Sequence, residues 1–131
     1  MKLIFSLTFV LSLLACQNTG TKTANVVDEH DAMHNQIMEI HDEVMPKMGS
    51  MRKLRKKLIA IEPQTEESKT AIKNLVNADE FMMDWMAEYR VPEGDKIAKS
   101  EYLENELKRV KQLKSDINGS IESAKQILST Q

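Results

Sequence analysis

MHNQIMEIHDEVMPKMGSMRKLRKKLIAIEP, residues 33–63, decides the fold. Its apolar positions Met33, Ile37, Ile40, Val44, Met51, Leu54, Leu58 and Ile61 recur at three, four or seven residues. A chain turning 100° per residue gathers these side chains on one face, whereas an alternating strand would scatter them. The stretch predicts a long amphipathic helix from Val26 to Ile61, roughly 50 Å in length. Pro46 interrupts it, because proline cannot donate to the carbonyl of Asp42 and its ring crowds that turn. With Gly49 close by, a kink near Pro46 is expected rather than a full break. Acidic residues (Asp28, Glu29, Asp31, Glu39, Asp42, Glu43) fill the first half and basic ones (Lys47, Arg52, Lys53, Arg55, Lys56, Lys57) the second. That order opposes the helix dipole favourably, and it reads foremost as a solvated face.

Working outward, Glu62-Pro63-Gln64-Thr65 stops this helix, and Thr65 or Ser68 can cap the next. The second helix carries Ala71, Ile72, Leu75, Val76, Ala78, Met82, Met83, Trp85, Met86 and Tyr89, and it ends at Val91-Pro92-Glu93-Gly94. A third, from about Asp95 to Leu128, carries Leu103, Leu107, Val110, Leu113, Ile117, Ile121, Ala124 and Leu128 on one stripe. Asn118-Gly119 is its weak point, where a local bend is expected. Two short connections make neighbours antiparallel, so the fold class is all-α, an up-down-up three-helix bundle with coiled-coil-like packing.

The 131 residues hold 4 Gly, 3 Pro, a single Cys and 9 Met, which fits one small helical domain and excludes a disulfide scaffold or repeat array. A net charge of −2, from 18 basic and 20 acidic residues, argues against a nucleic-acid binder.

Lys2 precedes an uncharged run, Leu3–Leu14, that closes on Leu13-Leu14-Ala15-Cys16. Such a run is too short to span a bilayer but matches a signal-peptide core, and the tetrapeptide resembles the bacterial lipobox. The resemblance implies cleavage before Cys16 and lipidation of its thiol. Residues 1–15 are then a lipoprotein signal peptide, 16–25 the lipidated Cys with a flexible polar tether, and 26–131 the bundle domain. Two or three acyl chains hold a protein on a membrane without a transmembrane helix.

All three histidines lie on the first helix, where His34, Met38, His41, Met45 and Met48 step by four and three along one strip. Folding the second helix back over residues 62–65 pairs positions whose numbers add to about 127. Met82 then faces Met45, Met86 faces His41 and Tyr89 faces Met38, with Trp85 between the two methionines. Thioethers and imidazole suit Cu(I), and an indole face can shield such a cation. A candidate metal set follows: His41, Met45, Met82 and Met86 as ligands, Trp85 as a lid, and His34, Met38 and Met48 as further members. Methionine also fills irregular core space beside a proline kink, so core and ligand both stand as readings.

Catalytic readings lack parts. His30-Asp31-Ala32-Met33-His34 has Asp where the zincin motif needs Glu, and no His follows position 41 as a third ligand. A di-iron bundle needs Glu-x-x-His on two helices. Neither a free Cys in the mature chain nor a Gly-framed Ser is present for nucleophilic catalysis.

Ile40-His41-Asp42-Glu43-Val44-Met45-Pro46-Lys47-Met48-Gly49 with Leu54 and Leu58, then Ala78-Asp79 and Met82-Met83-Asp84-Trp85-Met86, resemble a family of small Bacteroidetes lipoproteins often labelled "viral A-type inclusion protein". The family carries no assigned activity. The resemblance implies a lipid anchor in the outer membrane, facing the periplasm. The expected function is a non-enzymatic interaction or structural module whose Met-rich end receives a helix of an envelope partner, with periplasmic Cu(I) binding as the alternative. Oligomeric state is left open by the stripe.

Overall fold

The computed structural model describes the backbone of residues 20–131 and the side chains from Glu29 onward. The described residues form four helical segments, α1 (Gly20–Val44), α2 (Lys47–Ile59), α3 (Glu66–Glu88) and α4 (Lys96–Ser129), and contain no strand. α1 and α2 together are the expected first helix, bent at Pro46, so the architecture is the three-helix, up-down-up bundle.

The bend is local. Pro46 keeps helical angles (φ −62°, ψ −23°), Met45 still donates to the carbonyl of His41 at 3.0 Å, and Met48 donates to Met45 at 3.2 Å. One tightened turn therefore replaces the bonds that proline cannot make. The helix start differs from expectation. α1 begins at Gly20, so residues 20–25, read as tether, are helical; extending a formed helix adds a hydrogen bond per residue and needs no new nucleus. Cys16 and the signal-peptide assignment lie outside the described residues.

Helix ends follow local chemistry. At α3, the Thr65 hydroxyl accepts from the Ser68 amide (3.1 Å) and the Ser68 hydroxyl accepts from the Thr65 amide (3.0 Å), a capping box. The Gln64 amide group donates to the carbonyls of Leu58, Ile59 and Ile61, closing the C-terminus of α2. Asp95 caps α4 through the amides of Ile97 and Ala98. Gly94 supplies the left-handed residue (φ 91°) that the turn before it requires. α4 runs unbroken through Asn118-Gly119, where the Asn118 side chain accepts from Lys47 at 2.8 Å.

The core follows the heptads: Ile37, Val44, Met48, Met51 and Leu58 from α1 and α2, Ala71, Leu75, Ala78, Met82 and Trp85 from α3, and Leu103, Val110, Leu113, Ile117, Ile121 and Ala124 from α4. α4 packs along both other helices, and α2 packs on α3. α1 and α3 behave otherwise: among the described residues their Cα atoms nowhere come within 8 Å. On the N-terminal side of Pro46 the first helix stands apart from α3, whereas α2 after the bend packs on it. Long side chains fill the wedge between α1 and α3.

Candidate functional site

Those side chains come from one face of each helix. From α3, Trp85, Met86 and Tyr89 reach across, and from α1, His34 and His41 meet them. Trp85 and Tyr89 stack with ring centres 4.9 Å apart; His41 lies 5.8 Å from Trp85, His34 5.9 Å from Tyr89, and Tyr102 of α4 extends the ladder 6.0 Å beyond Tyr89. Offset and tilted rings at such separations attract through their quadrupoles.

His34 Nδ1 and the Tyr89 hydroxyl share a hydrogen bond of 2.7 Å. Burial is the main cause that pushes the Tyr89 hydroxyl up to about 12, with Tyr102 and Glu106 adding to it. Burial likewise raises Tyr102, whose hydroxyl accepts from the Arg90 amide at 2.7 Å. Both phenols therefore stay protonated well above neutral pH.

His41 carries the sharpest geometry. Its Nδ1 is 2.9 Å from Asp42 Oδ1, and its Nε2 is 3.3 Å from the sulfur of Met86. An ionised carboxylate only accepts, so the proton sits on Nδ1 and Asp42 sets the tautomer. In that tautomer the Nε2 lone pair lies toward the Met86 sulfur. Two soft donors face each other, and a proton or a soft cation satisfies both. Histidine ligands of metals commonly have such a carboxylate behind the other ring nitrogen.

Of the sequence-derived set, the structure brings together His41, Met86 and Trp85, and the expected pairing of His41 with Met86 is met. Tyr89 meets His34, one turn beyond the expected Met38. Met38 and Met45 are half-buried on the same strip of α1. Two members lie in the core: Met48 is 4% exposed and Met82 0%, because the heptads of α2 and α3 turn them inward. Trp85 is no lid. It is buried, and its indole N–H donates to Glu106 Oε2 at 2.7 Å. His30 is also buried, its Nε2 without a hydrogen-bond partner among the described residues. Among those residues no three His, Cys, Asp or Glu side chains converge as a metal cage.

Sequence reasoning missed Glu106, a carboxylate at a heptad position of α4. Arg109 lies 3.7 Å from its other oxygen and donates to Glu88 at 2.6 Å, so the buried charge is hydrogen-bonded and countered. The hydrogen bond that Arg109 donates to Glu88 is the main cause that raises Arg109 above its ordinary value. Glu106 reads as a surface residue in a highly charged helix, and only its heptad position, three residues after Leu103, betrays it.

A second feature lies on the opposite side of Trp85. Phe81 is 59% exposed and flanks a hollow of about 360 Å³ between α3 and α4, floored by Trp85 and Leu113 and rimmed by Arg109 and Asp116. Exposed phenyl beside an apolar floor is a surface suited to another apolar side chain.

Comparison with known proteins adds no assignment: no family model, curated protein or solved structure matches the chain.

Proposed function

We propose that this chain is a non-enzymatic helical module, anchored by lipid on Cys16 in a bacterial outer membrane and facing the periplasm, as its resemblance to the small Bacteroidetes lipoproteins implies. It works by receiving an amphipathic helix of an envelope partner. The observation that supports this is exposed Phe81 beside the Trp85–Leu113 hollow. The Met-rich end is the poorer seat, because Met82 there is wholly buried. Helix-in-groove recognition uses such apolar anchors with charged rims, here Arg109 and Asp116. In a pull-down from detergent-solubilised envelope, the wild-type protein is expected to retain a partner that Phe81→Glu loses, with both proteins equally helical by circular dichroism. Identical eluates from the two would refute the reading.

A specific observation favours a second reading, Cu(I) binding: the imidazole of His41, oriented by Asp42, faces the sulfur of Met86. Met45, four residues after His41, supplies the next sulfur on that strip, and Met82 would have to leave the core to join. The triple variant Met45→Leu, Met82→Leu, Met86→Leu conserves volume and removes sulfur. It is expected to stay folded and to lose Cu(I) in an anaerobic chelator competition, while Asp42→Ala weakens binding about 10- to 100-fold. A wild-type protein that binds no more tightly than the triple variant excludes copper.

A further inference from the structure

We propose that the outer face of α2 docks on an anionic lipid surface. α2 has six basic residues and no acidic one among its 13. Lys47 is occupied by Glu43 and Asn118, and Arg52 by Asp79. Lys53, Arg55, Lys56 and Lys57 enter no ion pair among the described residues. Arg55 is half-buried beside the core, so three free cations point outward.

Their spacing describes the partner. At 100° per residue, Gly49, Lys53, Lys56, Lys57 and Ala60 fall within an arc of about 100°, opposite buried Met51 and Leu58. The residues between the lysines on that arc are small, so nothing on the face holds a broad, flat surface away from the ammonium groups. Ile59, 55% exposed, sits at the edge of the face near the helix end. The apolar face of α2 is buried in the bundle, so contact would be electrostatic: unpaired lysines on one side attract an anionic headgroup layer, with Ile59 as an apolar contact at the margin. A nucleic-acid duplex fits less well, because the arc carries lysines alone, with no arginine or aromatic side chain to reach base edges or stack on them. An anionic layer repels the acidic first half of α1, so charge alone favours the α2 end for contact.

The proposal needs no acylation of Cys16, and a variant without that thiol tests it independently of the anchor. The full chain carrying Cys16→Ser and Ala60→Cys takes an environment-sensitive dye at position 60, which reports contact at α2 and not at the N-terminus. With phosphatidylcholine vesicles containing about one-third phosphatidylglycerol, the dye emission is expected to shift to the blue, and 0.5 M salt, about a 4 Å screening length, should abolish the shift. Each lysine is worth about fivefold in partitioning, so adding Lys53→Gln, Lys56→Gln and Lys57→Gln raises the lipid concentration for half-saturation about a hundredfold. Circular dichroism of that variant should match its parent, since all three positions are solvent-exposed. An equal shift with pure phosphatidylcholine, an unchanged half-saturation in the triple glutamine variant, or a shift with duplex DNA but none with vesicles would each overturn the proposal.

Discussion

Trp85→Ala is expected to destabilise the bundle by about 3–5 kcal/mol, a large part of the 5–15 kcal/mol that holds a domain of this kind together. Trp85 is 2% exposed and is the largest fully buried side chain, and it fills the wedge where the α1 and α3 backbones stand apart. No backbone can close over the void it would leave. Its indole also supplies the 2.7 Å hydrogen bond to Glu106, which is 8% exposed. Trp85→Phe separates the two contributions: the ring stays, the donor goes, and a stranded buried carboxylate costs about 1–3 kcal/mol. Adding Glu106→Leu to Trp85→Phe should recover part of that loss, since both polar partners are then gone. Urea unfolding followed by far-ultraviolet circular dichroism measures all three, because the chain has a single Trp and fluorescence disappears with it. A loss under about 1 kcal/mol for Trp85→Ala would mean that the wedge collapses, against this account.

Met82 gives the second large effect. It is wholly buried among the core residues of α2, α3 and α4. Met82→Ala is expected to cost about 2–5 kcal/mol, whereas Met82→Leu, close in volume, costs less than about 1.5 kcal/mol. Both changes remove the sulfur. If Met82 serves packing alone, the leucine variant keeps the Cu(I) affinity of the wild type, whatever that affinity is, and only the alanine variant loses stability. Equal destabilisation by the two substitutions would show that shape and volume are not what Met82 supplies.

Much of the fold was legible in residues 33–63 and in the stripes after them, because a heptad in an antiparallel bundle leaves few arrangements. The pairing of His41 with Met86 also followed, since a short connection fixes the register of two helices. Which methionines face inward was harder. Met48 and Met38 share a strip in a straight helix, but the bend at Pro46 turns the part after it by a different amount, so Met48 enters the core and Met38 stays half-exposed. Glu106 and Gln64 were invisible for another reason. Each acts through a partner remote in sequence or in a turn, Trp85 for the first and three carbonyls at the end of α2 for the second, and residue type alone says nothing of that. The opening at Phe81 depends on how far α3 and α4 part, which no periodicity encodes.

The bend at Pro46 makes α1 a lever arm over α3. Side chains alone bridge the two helices, and each bridge sits at its own distance from the pivot. At 1.5 Å per residue, His41 lies about 7.5 Å from Pro46 and His34 about 18 Å. A tilt of ten degrees therefore moves His41 by about 1.3 Å and His34 by about 3 Å. The same tilt stretches the outer clasp, His34 with Tyr89, more than twice as far as the inner pair, His41 with Met86. The angle at a single proline thus sets, in graded order, how far the contacts across the cleft are stretched.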